Sequence, residues 1–382
     1  MVIIGDNICL GGEKSICGAV TVENGRIVKI DEFPPEKLAE TAHDINAVGK
    51  TISPGFIDAH THLGLFGSGI GIEGDDLNED SDPVTPHLRA LDAIDPFDSA
   101  FSSAYCHGIT TVITGSGSAN AIGGDIVAMK TVGTIADEMV IKTVGIKFAL
   151  GENPKAIHGD KDSMPVTRMG IAALIREALY KAKRYKEDVE AAKSDPEIDR
   201  PEYDIKSEAL IPLLEGKIKA HFHCHKANDI VTAVRISKEF NIPYTLIHCT
   251  EGYKIAEFLA KNNATAVIGP IISSKCKPEL AGVTEQNAGL MQKQGVTVAI
   301  GTDYPEIPEY YLHLSAMIAG QNGLTHPLDA ITQSAAKIAG IDDRVGYIRE
   351  GYDADIVILD KDRVITTIIN GEVVFDDDDN KK

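Results

Sequence analysis

The stretch Pro54-Gly-Phe-Ile-Asp-Ala-His60-Thr-His62 is an apolar run that ends in two histidines. Side chains two positions apart lie on the same face of a strand, so His60 and His62 are predicted to point in one direction. Three other apolar runs end in imidazole or carboxylate groups, at residues 219–225, 245–250 and 298–303. Short runs that are apolar throughout are typical of parallel strands covered on both faces. These four runs therefore predict a buried parallel sheet with polar groups at the carboxyl ends of its strands.

Between residues 54 and 347 such runs alternate with helical patterns, which predicts an α/β fold, a (β/α)₈ barrel of the TIM type. A doubly wound open sheet is the structural alternative. Seven strands are predicted, at residues 55–59, 109–114, 144–150, 218–222, 244–247, 264–268 and 296–300. The eighth is expected between Gly115 and Lys142.

Both ends of the chain contain short strand patterns around an Asn-Gly pair. Asn24-Gly25 and Asn370-Gly371 each separate two apolar runs, and this dipeptide favours the type I′ turn of a β-hairpin. We expect residues 1–53 and 348–382 to pair into one small β-sandwich domain, with residues 54–347 inserted between them as the barrel domain. Two unrelated edge hairpins are the alternative.

The composition is that of a packed globular chain. The 382 residues carry 37 basic and 57 acidic side chains, a formal net charge of −20, and 43% are hydrophobic. Clustered Lys and Arg are lacking, which argues against nucleic-acid binding. The six cysteines lack CxxC spacing and are expected to be reduced thiols. Since neither a signal-peptide pattern nor a run of about 18 apolar residues is seen, we predict a cytoplasmic protein with a small-molecule substrate and no membrane partner. Assembly into a homo-oligomer is left open.

The polar groups at the strand ends are of the types that bind transition metals. His221, His223 and His225 alternate along one strand, although His is not a favoured core residue, and His248 and Asp303 end two further runs. Imidazoles with a carboxylate suit Zn²⁺ or a similar ion, because Mg²⁺ and Ca²⁺ prefer oxygen ligands. Such a metal lowers the pKa of bound water from ~15.7 towards ~7, and Asp303 is placed to take and return a proton. The pattern predicts a metal-dependent hydrolase.

The motifs also resemble those of a known superfamily. PGFIDAHTHL at 54–63 is followed by two strand-end histidines, GTD at 301–303 and GYDADIVILD at 351–360. This ordered set, which spans essentially the whole chain, resembles the amidohydrolase superfamily. The resemblance implies a (β/α)₈ barrel with one or two divalent metals, in which metal-activated hydroxide attacks a carbon–nitrogen bond.

Carried over position by position, the resemblance implies a set of metal ligands. His60 and His62 become ligands of a first metal, and His223 and His248 become ligands of a second. Asp303 becomes both a ligand of the first metal and the general acid/base. Zinc is the expected metal, with iron, manganese and nickel as alternatives.

The number of metals depends on a bridging group. Residues 144–154 resemble the bridging-lysine strand of the isoaspartyl dipeptidase branch, which predicts a carboxylated Lys147 between two metals, with Glu152 as the less favoured bridge. A desolvated lysine can be neutral and react with CO₂ to give a carbamate. Imidazolonepropionase-like members use one metal instead, and the matching ligands here are His60, His62, His223 and Asp303.

Three further residues are predicted to contact substrate. His221 and His225 are extra to the single histidine that the family has on this strand. The register of the match favours His223 as the metal ligand and leaves His225 to contact substrate. If the register were shifted by two residues, His221 or His225 would be the ligand instead. Glu73, in the acidic Gly-rich loop 67–76, is a candidate to bind a cationic group, or else a solvated side chain. Arg168 is a candidate to pair with a substrate carboxylate, with a structural ion pair as the alternative.

The predicted reaction is cleavage of a C–N bond in an amide, lactam or cyclic imide, with Asp303 protonating the departing nitrogen. A dipeptidase-like hydrolase, isoaspartyl or Xaa-Pro, is one alternative. A catalytically silent binding or scaffold protein on the same fold is the other. Substrate identity resides in loop conformations that the sequence does not reveal.

Overall fold

The computed structural model describes residues 1–12, 14–67, 71–161 and 163–377. The strands of this described part are β1 Val2–Gly11, β2 Lys14–Glu23, β3 Arg26–Glu32, β4 Ile45–Asn46, β5 Thr51–Pro54, β6 Phe56–Thr61, β7 Ile109–Gly115, β8 Ile122–Lys130, β9 Val140–Ala149, β10 Lys219–Cys224, β11 Tyr244–His248, β12 Thr265–Ile268, β13 Thr297–Ile300, β14 Ile356–Asp360, β15 Arg363–Ile369 and β16 Glu372–Asp376. Its α-helices are α1 Ser99–Cys106, α2 Ala136–Met139, α3 Glu152–Gly159, α4 Arg168–Ser194, α5 Ile205–Leu214, α6 Ala227–Phe240, α7 Ala256–Lys261, α8 Asn287–Lys293, α9 Leu312–Gln321 and α10 Gln333–Ala339.

The central sheet contains the eight strands β6 to β13, hydrogen-bonded in chain order. Its two ends approach each other, since the backbone N–H of Asp303, just after β13, donates to the carbonyl of His60 on β6 at 2.9 Å. The sheet is thus a nearly closed eight-stranded barrel, as predicted, rather than a doubly wound open sheet.

One strand of the barrel runs against the others. β8 lies between Gly115 and Lys142, where the eighth strand was expected, but it pairs antiparallel with both β7 and β9. The other neighbouring pairs are parallel. The reason is the connection from β7, residues 116–121, because a parallel crossover needs about a dozen residues or more. The expectation of eight parallel strands is therefore wrong for β8.

The second sheet combines strands from both ends of the chain. Its order is β16-β15-β14-β5-β1-β2-β3, with β4 paired to β1, and the two ends meet where β5 pairs antiparallel with β14. The Asn-Gly pairs at 24–25 and 370–371 have the positive φ angles that a type I′ turn requires. The predicted pairing of the two ends is confirmed. Their arrangement as a sandwich, and the domain boundaries at 53/54 and 347/348, stay predictions.

The barrel strands are buried on both faces, which explains their unbroken apolar runs. Phe56, Phe148 and Phe222 are fully buried in the largest apolar cluster, which includes residues of α1, α4 and α6. The terminal sheet has an apolar cluster of its own, with Ile3 and Ile356 among its members. Within the described ranges, no helix is both long and apolar enough to cross a lipid bilayer.

Candidate metal centre

The first group of candidate ligands joins the two edges of the barrel. His60 and His62 stand at the end of β6, and Asp303 follows β13. Oδ1 of Asp303 lies 3.3 Å from Nε2 of each histidine, and both histidines are buried. The ligand atoms of the three residues all lie within 4.8 Å of one another. The structure thus brings together the residues predicted to hold a first metal.

Backbone groups orient this first group. Nδ1 of His62 donates to the carbonyl of Gly115 at 2.6 Å, which leaves Nε2 directed at Asp303. A carbonyl acceptor on the far nitrogen is the usual arrangement for a metal-ligating histidine, because it fixes both the tautomer and the ring orientation. Asp303 itself has a φ of +57°, a left-handed conformation that non-glycine residues seldom adopt.

The second group consists of three histidines on adjacent strands. His223 lies on β10, His225 follows it, and His248 ends the neighbouring β11. Their ring centroids are 4.7, 4.6 and 4.7 Å apart in the three pairs, and one nitrogen of each lies within 4.8 Å of the others. His225 therefore belongs to this group by geometry, although the sequence assigned it to substrate.

Each histidine of the second group has an oxygen at Nδ1. These partners are Ser118 Oγ for His223 at 2.9 Å, Thr250 Oγ1 for His225 at 2.7 Å and the Gly269 carbonyl for His248 at 2.7 Å. The Nε2 atoms of His223 and His248 are buried and have no hydrogen-bond partner among the described residues. Buried polar nitrogens are seldom left unpaired, so these two atoms suit a ligand that completes their coordination.

Lys147 lies beside the first group, on β9. Its side chain is fully buried, and Nζ is 3.2 Å from Nε2 of His60. Burial lowers the pKa of Lys147 to about 8, so its neutral amine is far more populated near neutral pH than that of an exposed lysine. This is the form that reacts with CO₂. Lys147 is therefore not a solvated surface lysine.

The electrostatics of the site fit divalent ions. Burial lowers the pKa of His60, His223, His225 and His248 below the usual imidazole value, which keeps their nitrogen lone pairs available as ligands. Neutral imidazoles and a carboxylate are a ligand set for zinc and similar ions. The residues present therefore fit one or two divalent metals.

A cavity of about 170 Å³ opens onto both groups. His62, His223, His225 and Asp303 form part of its wall. The remainder includes polar side chains from six segments, each of which follows a different barrel strand, namely Asn78, Ser118, Asn153, Thr250, Lys277 and Glu306. A cleft that joins candidate ligands to convergent polar groups is the usual form of an active site.

Comparison with known proteins identifies the family of this chain. The model of the "Amidohydrolase family" matches residues 51–374. This chain belongs to the amidohydrolase family. The crystal structure of an amidohydrolase from Thermotoga maritima MSB8 is 36% identical, with a TM-score of 0.92, and the match covers 98% of this chain and 99% of that one.

Two curated relatives are more distant. Amidohydrolase tasK of Hapsidospora irregularis is 29% identical over 94% of this amidohydrolase, which spans only 40% of the length of tasK. The imidazolonepropionase of Treponema denticola is 24% identical over 91% of this chain and 86% of its own.

Arg168 does not reach the cavity of this amidohydrolase. Its Nε donates to both carboxylate oxygens of the buried Asp229, at 2.9 and 3.0 Å, and Nη2 donates to Glu279 at 3.4 Å. The guanidinium is thus paired with two carboxylates of its own chain. This agrees with the alternative prediction for Arg168, a structural ion pair. The contacts give no support to a role in binding a substrate carboxylate.

Glu73, Glu152 and His221 also lie outside both ligand groups. Glu73 is exposed on the turn Ile72–Gly74 and is absent from the cavity wall; residues 68–70 of its loop lie outside the described ranges. Glu152 begins α3. His221 is paired in register with Lys147, deeper along β10, and burial lowers its pKa to about 3. His223, favoured by sequence register, joins His248 together with His225.

Sequence reasoning missed Lys277 entirely. It follows β12 in a segment without a recognisable motif, so no local signal marks it. Ser118 is different, because it lies in the Gly-rich loop 115–124 after β7, and a loop at that end of a barrel strand is expected near the active site.

Proposed function

We propose that this chain is a binuclear amidohydrolase that cleaves a C–N bond in an amide, lactam or cyclic imide of a small molecule. The observation that carries the proposal is the pair of three-residue ligand groups with the buried Lys147 beside them. A single-metal site built from His60, His62, His223 and Asp303 is less well supported, since His223 groups with His225 and His248.

In the proposed centre each group holds one ion. His60, His62 and Asp303 hold the first, and His223, His225 and His248 hold the second. Lys147 would supply a further anionic ligand to these ions, because its neutral Nζ can bond to the carbon of CO₂ and lose a proton, which gives a carbamate anion. Bound divalent ions, zinc being expected, supply the Lewis acidity that activates water and polarises the scissile group.

Asp303 is proposed to move the protons. One carboxylate oxygen is held by His60 and His62, and the other lies 3.9 Å from Nε2 of His248. The residue also lines the cavity. From there it accepts a proton from the attacking water and donates it to the departing nitrogen, as a general acid/base must.

Metal content tests this proposal. Protein purified with zinc and bicarbonate is expected to hold two equivalents by mass spectrometry, and Lys147→Ala is expected to hold about one. His43→Ala, at an exposed histidine between β3 and β4 of the terminal sheet, is the control. One equivalent in the wild type, unchanged in Lys147→Ala, would support the single-metal site, and none after supplementation would overturn the proposal.

The role of His225 has a separate test. If His225 is a metal ligand, the His225→Ala variant is expected to lose the second equivalent of metal or to bind it about 10- to 100-fold more weakly. This effect is comparable to other losses in the ligand shell. If His225 instead contacts substrate, the same variant would keep two equivalents of metal and show only a raised KM. A panel of N-acyl amino acids, dipeptides and cyclic imides supplies the substrate for that second measurement.

A further inference from the structure

Lys277 places a positive charge on the wall of the cavity. It is the one Lys or Arg side chain among the cavity-lining residues that the structure describes. It is half-buried, and its Nζ donates to Oδ1 of Asn153 at 3.3 Å. The same wall contains His62, His223 and Asp303.

Among the described residues Lys277 has no carboxylate at ion-pair distance, whereas Arg168 and Lys130 do. Arg168 pairs with Asp229 and Glu279, and Lys130 pairs with two buried aspartates. The charge of Lys277 acts on the carboxyl of Glu279, where it offsets part of the rise in pKa that burial causes, but the direct contact of its Nζ is with Asn153. The acidic residues of the chain outnumber the basic ones, 57 to 37. A half-buried ammonium without a carboxylate in contact retains a positive charge that a bound anion can pair with.

The position of Lys277 is built into the structure. The turn Pro278–Gly282 follows it at once and is anchored by the buried Glu279. Oε1 of Glu279 accepts the backbone N–H of Glu152 at 2.6 Å, which ties this turn to the start of α3. Asn153, the partner of Lys277, is the next residue. The ammonium and the amide are thus held side by side.

We infer that Lys277 and Asn153 form a carboxylate-binding subsite, so that the substrate is a small molecule that carries a carboxylate in addition to the scissile C–N bond. The inference rests on the proposed function. Nζ has two further hydrogens to donate, and Asn153 Nδ2 adds a neutral donor because its Oδ1 is taken by Lys277. N-acyl amino acids and ring-opened or cyclic ureido acids belong to this chemical class.

Two hydroxamates test the inference without a known substrate. Acetohydroxamate chelates metals, and succinic monohydroxamate adds a terminal carboxylate to the same group. Binding of both to the zinc-loaded protein is measured by calorimetry. The carboxylate is expected to tighten binding about 10-fold or more, as a charge-assisted hydrogen bond does, and the gain is expected to shrink in high salt.

Variants of Lys277 test whether this residue is the source of the gain in affinity that the carboxylate brings. Lys277→Met is expected to abolish the 10-fold preference while leaving acetohydroxamate binding unchanged, and Lys277→Arg is expected to retain most of it. Lys275→Met, at an exposed lysine two residues away, is the matched control. If acetohydroxamate binds but the carboxylate brings no gain, or Lys277→Met keeps the gain, the inference is overturned and the proposed function stands. If acetohydroxamate does not bind the wild type, the proposed metal centre fails and the inference fails with it.

Discussion

At the scale of single residues, burial sets the chemistry of this chain. The dry interior lowers the pKa of Lys147 to about 8 and keeps the candidate imidazole ligands neutral. The same environment would be costly for an unpaired charge. With its pKa lowered to about 8, Lys147 has near neutral pH a much larger fraction of neutral amine than an exposed lysine has, and the amine is the form that carbamate formation needs.

Asp303 provides the first prediction at this scale. Replacing its carboxylate by the amide of Asp303→Asn preserves shape but removes the proton acceptor, so kcat is expected to fall by about 10²- to 10⁴-fold on the best substrate of the panel. Steady-state kinetics at equal metal content check this. Full activity in the variant would show that another group moves the proton.

His313 provides a prediction about pH. It stacks on Phe56 with ring centroids 5.2 Å apart, and burial lowers its pKa although the nearby Asp362 acts in the opposite direction. Because the unfolded chain has the ordinary histidine pKa of about 6.5, the unfolded state takes up the proton first, and stability is lost as the pH falls below that value.

The variant His313→Phe keeps the stacked ring and removes the titration. Its free energy of unfolding is expected to fall less steeply than that of the wild type between pH 7.5 and 5.5, as measured by urea unfolding at each pH. The difference in slope is bounded by about 1.4 kcal/mol per pH unit for one proton. Parallel slopes in the two proteins would contradict the prediction.

At the scale of elements, the segments after the strands determine how the second ligand group is held. The side chain of Glu251, just after β11, accepts from Lys226 at 3.0 Å, from the N–H of Ala227 at 3.0 Å and from Lys254 at 2.8 Å. Its own N–H donates to the carbonyl of His225 at 2.9 Å. One residue thereby joins the ends of β10 and β11, where the three histidines meet.

Loss of this junction is expected to destabilise the fold. Glu251→Gln removes the charge that three donors share and is expected to lower the free energy of unfolding of the metal-free protein by about 1–3 kcal/mol. Glu257→Gln is the control, since Glu257 is exposed and pairs with Lys261 along the helix, and its effect on the free energy of unfolding is expected to be much smaller. Urea unfolding at pH 7 measures both. Equal effects would mean that Glu251 is an ordinary surface charge.

At the scale of the whole molecule, buried charges join the barrel to the terminal sheet. Lys130, at the end of β8, contacts Asp353 at 3.0 Å and also Asp355, immediately before β14. All three side chains are buried, and Arg344 adds a contact to Asp353 at 2.7 Å. The antiparallel β8 is what brings Lys130 to this end of the barrel.

Removing the ammonium of Lys130 leaves the negative charges of the buried Asp353 and Asp355 less well neutralised. Lys130→Met is expected to cost about 3–5 kcal/mol of stability, the range for breaking a buried pair from one side. Lys142→Met, at an exposed position of the adjacent β9, is the control and is expected to have little effect. Chemical unfolding measures both, and the double variant Lys130→Met with Asp355→Asn is expected to recover part of the loss. A small effect of Lys130→Met alone would contradict the prediction.

Much of the architecture was readable from local patterns. Apolar runs of strand length, with helical stretches between them, predicted the barrel and the location of its eighth strand. Asn-Gly pairs predicted hairpins near both ends of the chain. The positions of five polar residues were readable for the same reason, because each stands at or just after the carboxyl end of a buried strand and parallel strands end at a common edge. These residues are His60, His62, His223, His248 and Asp303.

The rest depended on contacts between residues distant in the chain. The direction of β8, the capture of Arg168 by Asp229, the place of His225 beside His248, and the arrival of Lys277 at the cavity have no local signature. The sequence by itself determined which side chains stand at strand ends, since periodicity and turn chemistry act over a few residues. Only the tertiary structure decided which of them share a site, because their neighbours come from other strands and loops, as Ser118 does for His223 across 105 positions.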